Sequence, residues 1–165
     1  MKDSVYWIEK FGMNVHPEGG YFKESYRADE KILSDHLPER FKGDRNFSTS
    51  IYYLLVGDQF SKLHKIKSDE MWHFYDGSGL DIFEIEKSGK CIIHKLGLNI
   101  EERESPQVLI RAGNWFGARV NKPDSFCLAG CTVSPGFDFQ DFELGEKEFL
   151  LKEFPEHKNI IDQLT

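Results

Sequence analysis

The chain has 165 residues, 14% of them aromatic, and a formal net charge of −7. This length suits a single domain, residues 1–165, and the acidic balance argues against a nucleic-acid partner, which a basic face would attract. No run of about 18 apolar residues is present, so we expect no membrane span. The first twelve residues lack the apolar stretch of a signal peptide.

The three cysteines indicate in which cellular compartment the protein is expected. Cys91, Cys127 and Cys131 cannot all pair within one chain, and the simplest interpretation is a cytoplasmic protein with free thiols. A zinc site at Cys127 and Cys131 is disfavoured, because no second pair of Cys or His follows at ligand spacing.

The predicted elements begin with a short helix over residues 4–11, capped by Asp3 or Ser4 and ended by Gly12. A turn, HPEGG, precedes an alternating strand at 21–27. The polar composition of residues 28–46 predicts a long surface loop.

From residue 47 to about 133, short strand candidates alternate with turn signals, and no long amphipathic helix separates them. This pattern predicts an all-β sandwich or barrel, spanning about residues 15–144. Apolar spacing of the helical kind returns in the tail 145–165, where Pro155 interrupts it.

His64, Glu70 and Gly77 fall at the spacing of a metal-binding motif whose second His would stand where this chain has Ile66. Imidazole and carboxylate ligands suit iron, manganese, nickel or zinc. The second part of that motif has the pattern Pro-x-Gly-x-x-His, and its best match is residues 111–116, where Phe116 occupies the place of the remaining His. With two of four ligands lost, we expect no tightly bound metal cofactor, and any divalent metal would rest on His64 and Glu70.

The same two side chains can transfer protons without a metal. A His within reach of a carboxylate, in a cavity with aromatic walls, is able to act as a general base near neutral pH. Burial would raise the pKa of Glu70 and make it an acid. The alternative is that His64 is a hydrogen-bonded interior histidine with no role in chemistry.

Further candidates for ligand contacts surround this pair. Trp72 shares the strand parity of Glu70 and should line the cavity, whereas core packing would explain it equally well. His73 points to the opposite face of a regular strand, so a ligand contact requires a bulge; otherwise it lies at an interface or on the surface. Phe116 is expected to frame the cavity mouth.

The HPEGG turn contains another candidate for a ligand contact, Glu18, a polar residue with no obvious structural role. The glycines Gly19 and Gly20 let the backbone approach a ligand closely, which would place Tyr21 at the mouth. The competing interpretation is a tight turn with a solvated cluster of charges.

Five segments in order carry a family resemblance: HPEGGYFKESYR, SIYYLL, FSKLHKIKSDEMWHFYDG, AGNWFGARV and AGCTVSPGFDFQDFELG. They resemble the fifth cupin family, an RmlC-like group labelled a domain of unknown function. The resemblance implies a double-stranded β-helix, or jelly roll, with a short N-terminal helix and C-terminal helices. It also implies a homodimer whose N-terminal strands add to the partner's sheet.

A more distant similarity links the chain to the dTDP-sugar 3,5-epimerases. GGYFKESY resembles their nucleotide-contacting strand, which would place Tyr21, Phe22 and Glu24 near a base or ribose. The Leu63–His64 pair resembles the pair that carries their catalytic base. Their phosphate-binding Arg is replaced by Gly19, and their catalytic Tyr has no clear counterpart.

These observations lead to one main hypothesis and two alternatives. The main hypothesis is a cupin that binds a small polar ligand, such as a sugar nucleotide, in the barrel and isomerises or epimerises it with His64 and Glu70. The first alternative is a metal-dependent oxygenase or isomerase that recruits His73 as a further ligand. The second is a binding module without catalytic activity.

Overall fold

The first element is a short helix on the outside of the barrel. The computed structural model describes residues 2–165. Helix α1 (Ser4–Phe11) begins after Asp3, whose carboxylate accepts a hydrogen bond from the backbone N–H of Tyr6 at 2.8 Å, and it ends at Gly12 in the left-handed conformation. Asp favours the N-cap and Gly the C-terminal cap, and the predicted bounds of this helix are confirmed.

The strands form two antiparallel sheets that face each other. The six-stranded sheet has the order β1-β2-β5-β12-β7-β10, and the five-stranded sheet has the order β13-β6-β11-β8-β9. This arrangement confirms the predicted jelly roll. The strands of the two sheets are β1 (Asn14–Val15), β2 (Tyr21–Arg27), β5 (Thr49–Val56), β6 (Phe60–Lys65), β7 (Asp69–Gly77), β8 (Leu80–Ile85), β9 (Cys91–Leu96), β10 (Gln107–Ile110), β11 (Trp115–Val120), β12 (Phe126–Ser134) and β13 (Glu143–Leu144).

The stretch 28–46 is more ordered than the sequence predicted. It contains a small hairpin of β3 (Lys31–Ile32) and β4 (Arg45–Asn46), with a 3-10 turn at Ser34–His36. Two-residue strands are too short to show the alternation from which strands are predicted.

The main core fills the space between the two sheets. Side chains alternate between the faces of a strand, so every second residue points inward. Tyr53, Trp72, Ile82, Phe116 and Ala129 belong to this core, and each is at most 1% exposed. The cavity described below lies at one end of the same space, where the packing of these side chains stops.

The C-terminal helices cover the outer face of the five-stranded sheet. Helices α2 (Lys147–Glu153) and α3 (Lys158–Gln163) bury Leu150 and Ile161 against apolar side chains of that sheet, among them Trp115. The break that Pro155 predicts is present as a 3-10 turn between the helices. No helix within residues 2–165 has the length and apolar character needed to cross a membrane.

Candidate functional site

A cavity of about 290 Å³ opens at one end of the barrel. Strands β2, β5, β6, β7 and β12 contribute side chains to its wall, and the segment after β12 closes it with aromatic rings. His16, Glu18, His64 and Glu70 all line it. Concave sites with apolar walls and a few convergent polar groups are the usual form of small-molecule sites.

The HPEGG turn brings Glu18 into this cavity. The backbone N–H of Lys62 on β6 donates to the carbonyl of Glu18 at 2.8 Å, which ties the turn to the strand. Gly19 has φ +117°, and a Cβ there would collide with the carbonyl oxygen of Phe60. Only Gly fits such a position, and the resulting close approach buries Glu18 to 5% exposure.

Glu18, rather than Glu70, is the carboxylate that pairs with His64. The Nε2 atom of His64 lies 3.0 Å from Oε2 of Glu18, and the hydroxyl of Ser61 donates to Oε1 of Glu18 at 2.9 Å. This corrects the predicted His64–Glu70 pair. The two residues lie on different sheets, since His64 belongs to β6 of the five-stranded sheet and Glu70 to β7 of the six-stranded sheet.

The contacts of His64 place its two ring nitrogens in different surroundings. Nδ1 lies 2.7 Å from the carbonyl oxygen of Lys62, and a carbonyl only accepts, so Nδ1 carries hydrogen. The remaining nitrogen, Nε2, lies at ion-pair distance from Oε2 of Glu18. His64 and Glu18 therefore form a pair able to take up a proton at the cavity wall.

His16 sits beside the same carboxylate in the opposite tautomer. Its Nδ1 accepts a hydrogen bond from the backbone N–H of Glu18 at 3.3 Å, and this atom lies 3.6 Å from Oε2 of Glu18. Burial lowers the pKa of His16 more strongly than the neighbouring Glu18 raises it. His16 is therefore a neutral imidazole at neutral pH.

Glu70 is the second acid of the cavity and has a different charge state. Its pKa is raised to about 8: burial is the largest cause, the negative charge of Glu18 adds to it, and a hydrogen bond with the thiol of Cys131 partly opposes both. At neutral pH Glu70 is thus a carboxylic acid, able to donate a hydrogen bond or a proton.

Aromatic rings form much of the remaining wall. Phe22 comes from β2, and Phe137, Phe139 and Phe142 come from the segment after β12. Phe142 also lies against the His64 ring, with centroids 5.3 Å apart. The segment after β12 therefore lies over the cavity.

The predicted ligand contacts divide into three groups, two inside the barrel and one outside it. Phe22 and Glu24 line the cavity with Glu18. Phe116 lies behind His64 rather than at the mouth, 1% exposed and with its ring centroid 4.1 Å from the imidazole. Trp72 has the predicted parity but packs deeper in the core, against Tyr53.

Tyr21 and His73 lie on the outer face of the six-stranded sheet, which corrects their assignment to the cavity. Tyr21 packs in the cluster beneath α1 with Met13. His73 bonds to the hydroxyl of Thr132 and to the side-chain amide of Gln107, each at 3.1 Å. Neither strand has a bulge that would turn these side chains inward at their positions.

Several lining residues were absent from the sequence prediction. Thr49, Tyr53 and Cys131 all face the cavity. Their inward parity on β5 and β12 was available from the strand pattern, but parity does not tell which end of a strand borders a cavity. Ser61, the donor to Glu18, had no sequence signal.

The structure also shows which of the expected metal ligands the cavity brings together. Ile66, at the position of the missing second His, is buried and lines the cavity. Within residues 2–165 no three His, Cys, Asp or Glu side chains are arranged to hold a metal ion. The donor set of the expected metal motif is therefore not assembled by the residues present.

Comparison with known proteins agrees with this architecture. A crystal structure of a protein from Shewanella oneidensis covers all of this chain and 98% of its own, with 37% identity and a TM-score of 0.90. A hypothetical protein from Leishmania major matches with 28% identity and a TM-score of 0.89, over 99% of each chain. Oxalate decarboxylase from Bacillus subtilis shares the fold alone, at 17% identity and a TM-score of 0.56, over 92% of this chain and 36% of that one.

Two sequence comparisons identify the family. An uncharacterized protein of Saccharomyces cerevisiae is 33% identical over 153 residues, covering 86% of this chain and 75% of its own. The family model described as cupin superfamily (DUF985) matches residues 5–145. The similarity to the epimerases stays a prediction, whereas the chain belongs to the cupin superfamily, in the family of DUF985 domains.

Proposed function

We propose that the barrel cavity binds a small molecule through its polar carbonyl group and transfers a proton to and from it, as an isomerase or epimerase does. One observation carries this proposal: the His64–Glu18 ion pair and a protonated Glu70 line the same cavity. A candidate base and a candidate acid that face the same ligand are the arrangement that acid–base catalysis requires.

The proposed reaction moves one proton at each of two positions. In the first transfer, the His64–Glu18 pair accepts a proton from a carbon next to the ligand's carbonyl. Glu70 donates its proton to the carbonyl oxygen, which yields an enol. The reverse transfers return a proton to carbon and restore Glu70 as an acid, so no oxidant or metal enters the balance.

Of the predicted sugar-nucleotide ligand, only the small polar part is proposed to lie in the cavity. A cavity of about 290 Å³ lies at the lower end of the range for small-molecule sites, so a nucleotide would have to extend beyond the mouth. We also propose a cytoplasmic location, because Cys91, Cys127 and Cys131 are all free thiols.

Deuterium exchange tests the proposed chemistry. Small neutral ketones and aldoses are first screened for binding by thermal shift, and those that bind are incubated with the protein in D₂O. We expect NMR to detect deuterium at the carbon next to the carbonyl. His64→Asn and Glu18→Gln should each slow the exchange by about a hundredfold or more, the usual size of a general-base contribution.

The chain offers a matched control for these variants. His94 and Glu84 form a second His–carboxylate pair, with Nε2 and Oε2 2.7 Å apart, and neither lines the cavity. His94→Asn should leave exchange unchanged. Equal losses in the His94 and His64 variants, or wild-type exchange in the His64 variant, would show that the proposed site is wrong.

A further inference from the structure

The cavity mouth carries an unusual balance of charge. Among its lining residues, Arg27 is the one with a permanent positive charge, while Glu24 and Asp138 add carboxylates beside it. An anionic ligand would therefore have to find its counter-charge in Arg27 or in the histidines deeper in the cavity.

The hydrogen bonds of Arg27 are almost fully used within the protein. Nε and Nη2 donate to the two carboxylate oxygens of Glu24, at 3.0 and 2.8 Å. Nη1 donates to the side chain of Asn46 at 2.9 Å and to the carbonyl of Phe137 at 3.1 Å. A guanidinium has five N–H donors, so these four bonds leave one for a ligand.

The interior offers no free positive charge either. His64, when protonated, is neutralised by Glu18 at 3.0 Å, and His16 is neutral because burial lowers its pKa. An anion moved into such a cavity would lose its hydration without gaining an ionic partner, which is costly in a medium of low polarity.

The walls suit an uncharged molecule with an apolar body. Phe22, Phe137 and Phe142 border the cavity together with Ile51 and Val133. Contact with these side chains removes apolar surface from water, while the protonated Glu70 offers a hydrogen-bond donor to a carbonyl oxygen.

We infer that the ligand is an uncharged carbonyl compound with an apolar body, and that Glu24 excludes anions by occupying the guanidinium of Arg27. This inference rests on the proposed function in taking the cavity as the ligand site. The selectivity against anions follows from the Arg27–Glu24 pair at the cavity mouth and does not depend on catalysis.

A matched pair of probes tests the inference. Benzylacetone and benzylpyruvate share an aromatic ring and a ketone, and they differ in a methyl group against a carboxylate. Titration calorimetry should show the wild type binding benzylacetone at least about tenfold more tightly. Glu24→Ala should strengthen benzylpyruvate binding by about tenfold, since it frees two charge-assisted donors.

Glu101→Ala is the control, because it removes the same charge at an exposed position outside the cavity; it should leave both affinities unchanged. Tighter wild-type binding of benzylpyruvate, no binding of benzylacetone, or no gain in the Glu24 variant would each overturn the inference. Binding of benzylacetone without deuterium exchange would contradict the proposed proton transfer while leaving the charge selectivity standing.

Discussion

At the scale of residues, the candidate site is organised around one buried carboxylate. Glu18 faces His64 and His16, whose Nδ1 atoms have opposite roles: that of His64 donates to a backbone carbonyl and that of His16 accepts from a backbone N–H. Backbone contacts therefore set both tautomers. The result is one imidazole whose Nε2 lies at ion-pair distance from Glu18 and one that stays neutral.

The raised pKa of Glu70 predicts how the free energy of unfolding depends on pH. Its carboxyl has a pKa of about 8 in the folded protein against 4.5 ordinarily. Between these values the native state binds more protons than the unfolded chain, so the free energy of unfolding falls as pH rises. Between about pH 5 and pH 8, the free energy of unfolding of Glu70→Gln should decrease by a few kcal/mol less than that of the wild type.

Urea denaturation of both proteins across that pH range measures the difference. Glu101→Gln serves as the reference, since it changes an exposed carboxylate, and its curve should run parallel to that of the wild type. A Glu70→Gln curve with the wild-type slope would mean that Glu70 is ionised in the folded protein at neutral pH.

At the scale of elements, a buried ion pair holds the aromatic segment over the cavity. Arg45 on β4 donates from Nε and Nη2 to the two carboxylate oxygens of Asp141, at 2.6 and 2.7 Å. Both side chains are at most 3% exposed. Asp141 directly precedes Phe142, so this pair anchors the ring that lies against His64.

Asp141→Leu should therefore lower the free energy of unfolding by about 3–5 kcal/mol, because it leaves the Arg45 guanidinium buried without its partner. Replacing both residues, as Arg45→Met with Asp141→Leu, should cost less than half of that. Chemical denaturation measures both changes. Glu143→Gln breaks the more exposed pair with Lys65 and should cost less than about 1 kcal/mol; a similar cost for Asp141→Leu would contradict an anchoring role.

At the scale of the whole molecule, the edge of the six-stranded sheet bears on assembly. Strand β1 pairs with β2 only at Tyr21 and Phe22, so the rest of β2 has no neighbour on that side within residues 2–165. Exposed strand edges are open to pairing with another chain. Tyr26, on this part of β2, is 55% exposed.

We accordingly propose the homodimer that the family resemblance implied, with pairing along this edge. Light scattering coupled to gel filtration should give about twice the chain mass of 19.2 kDa. Tyr26→Glu should shift the molecules toward single chains, because it adds a charge at the edge. A mass of one chain for the wild type at micromolar concentration would refute the dimer.

The fold could be predicted further than the site. Helix α1, the series of short strands and the break at Pro155 each depend on local patterns of a few residues, and all three are confirmed. The positions of Tyr21 and His73 show the limit of this approach. Their neighbours Phe22 and Trp72 point inward, and a strand turns successive side chains to opposite faces.

The sequence alone determined the all-β class and the glycines of the HPEGG turn, which follow from short-range spacing, and its resemblance over five segments implied the family and the jelly roll. It also marked His64 and Glu70 as a pair and Glu18 as a further candidate. The tertiary structure decided which carboxylate meets the imidazole. That choice depends on how the turn crosses β6, where Lys62 bonds to Glu18 and Gly19 allows the close approach, and no local pattern records such a contact.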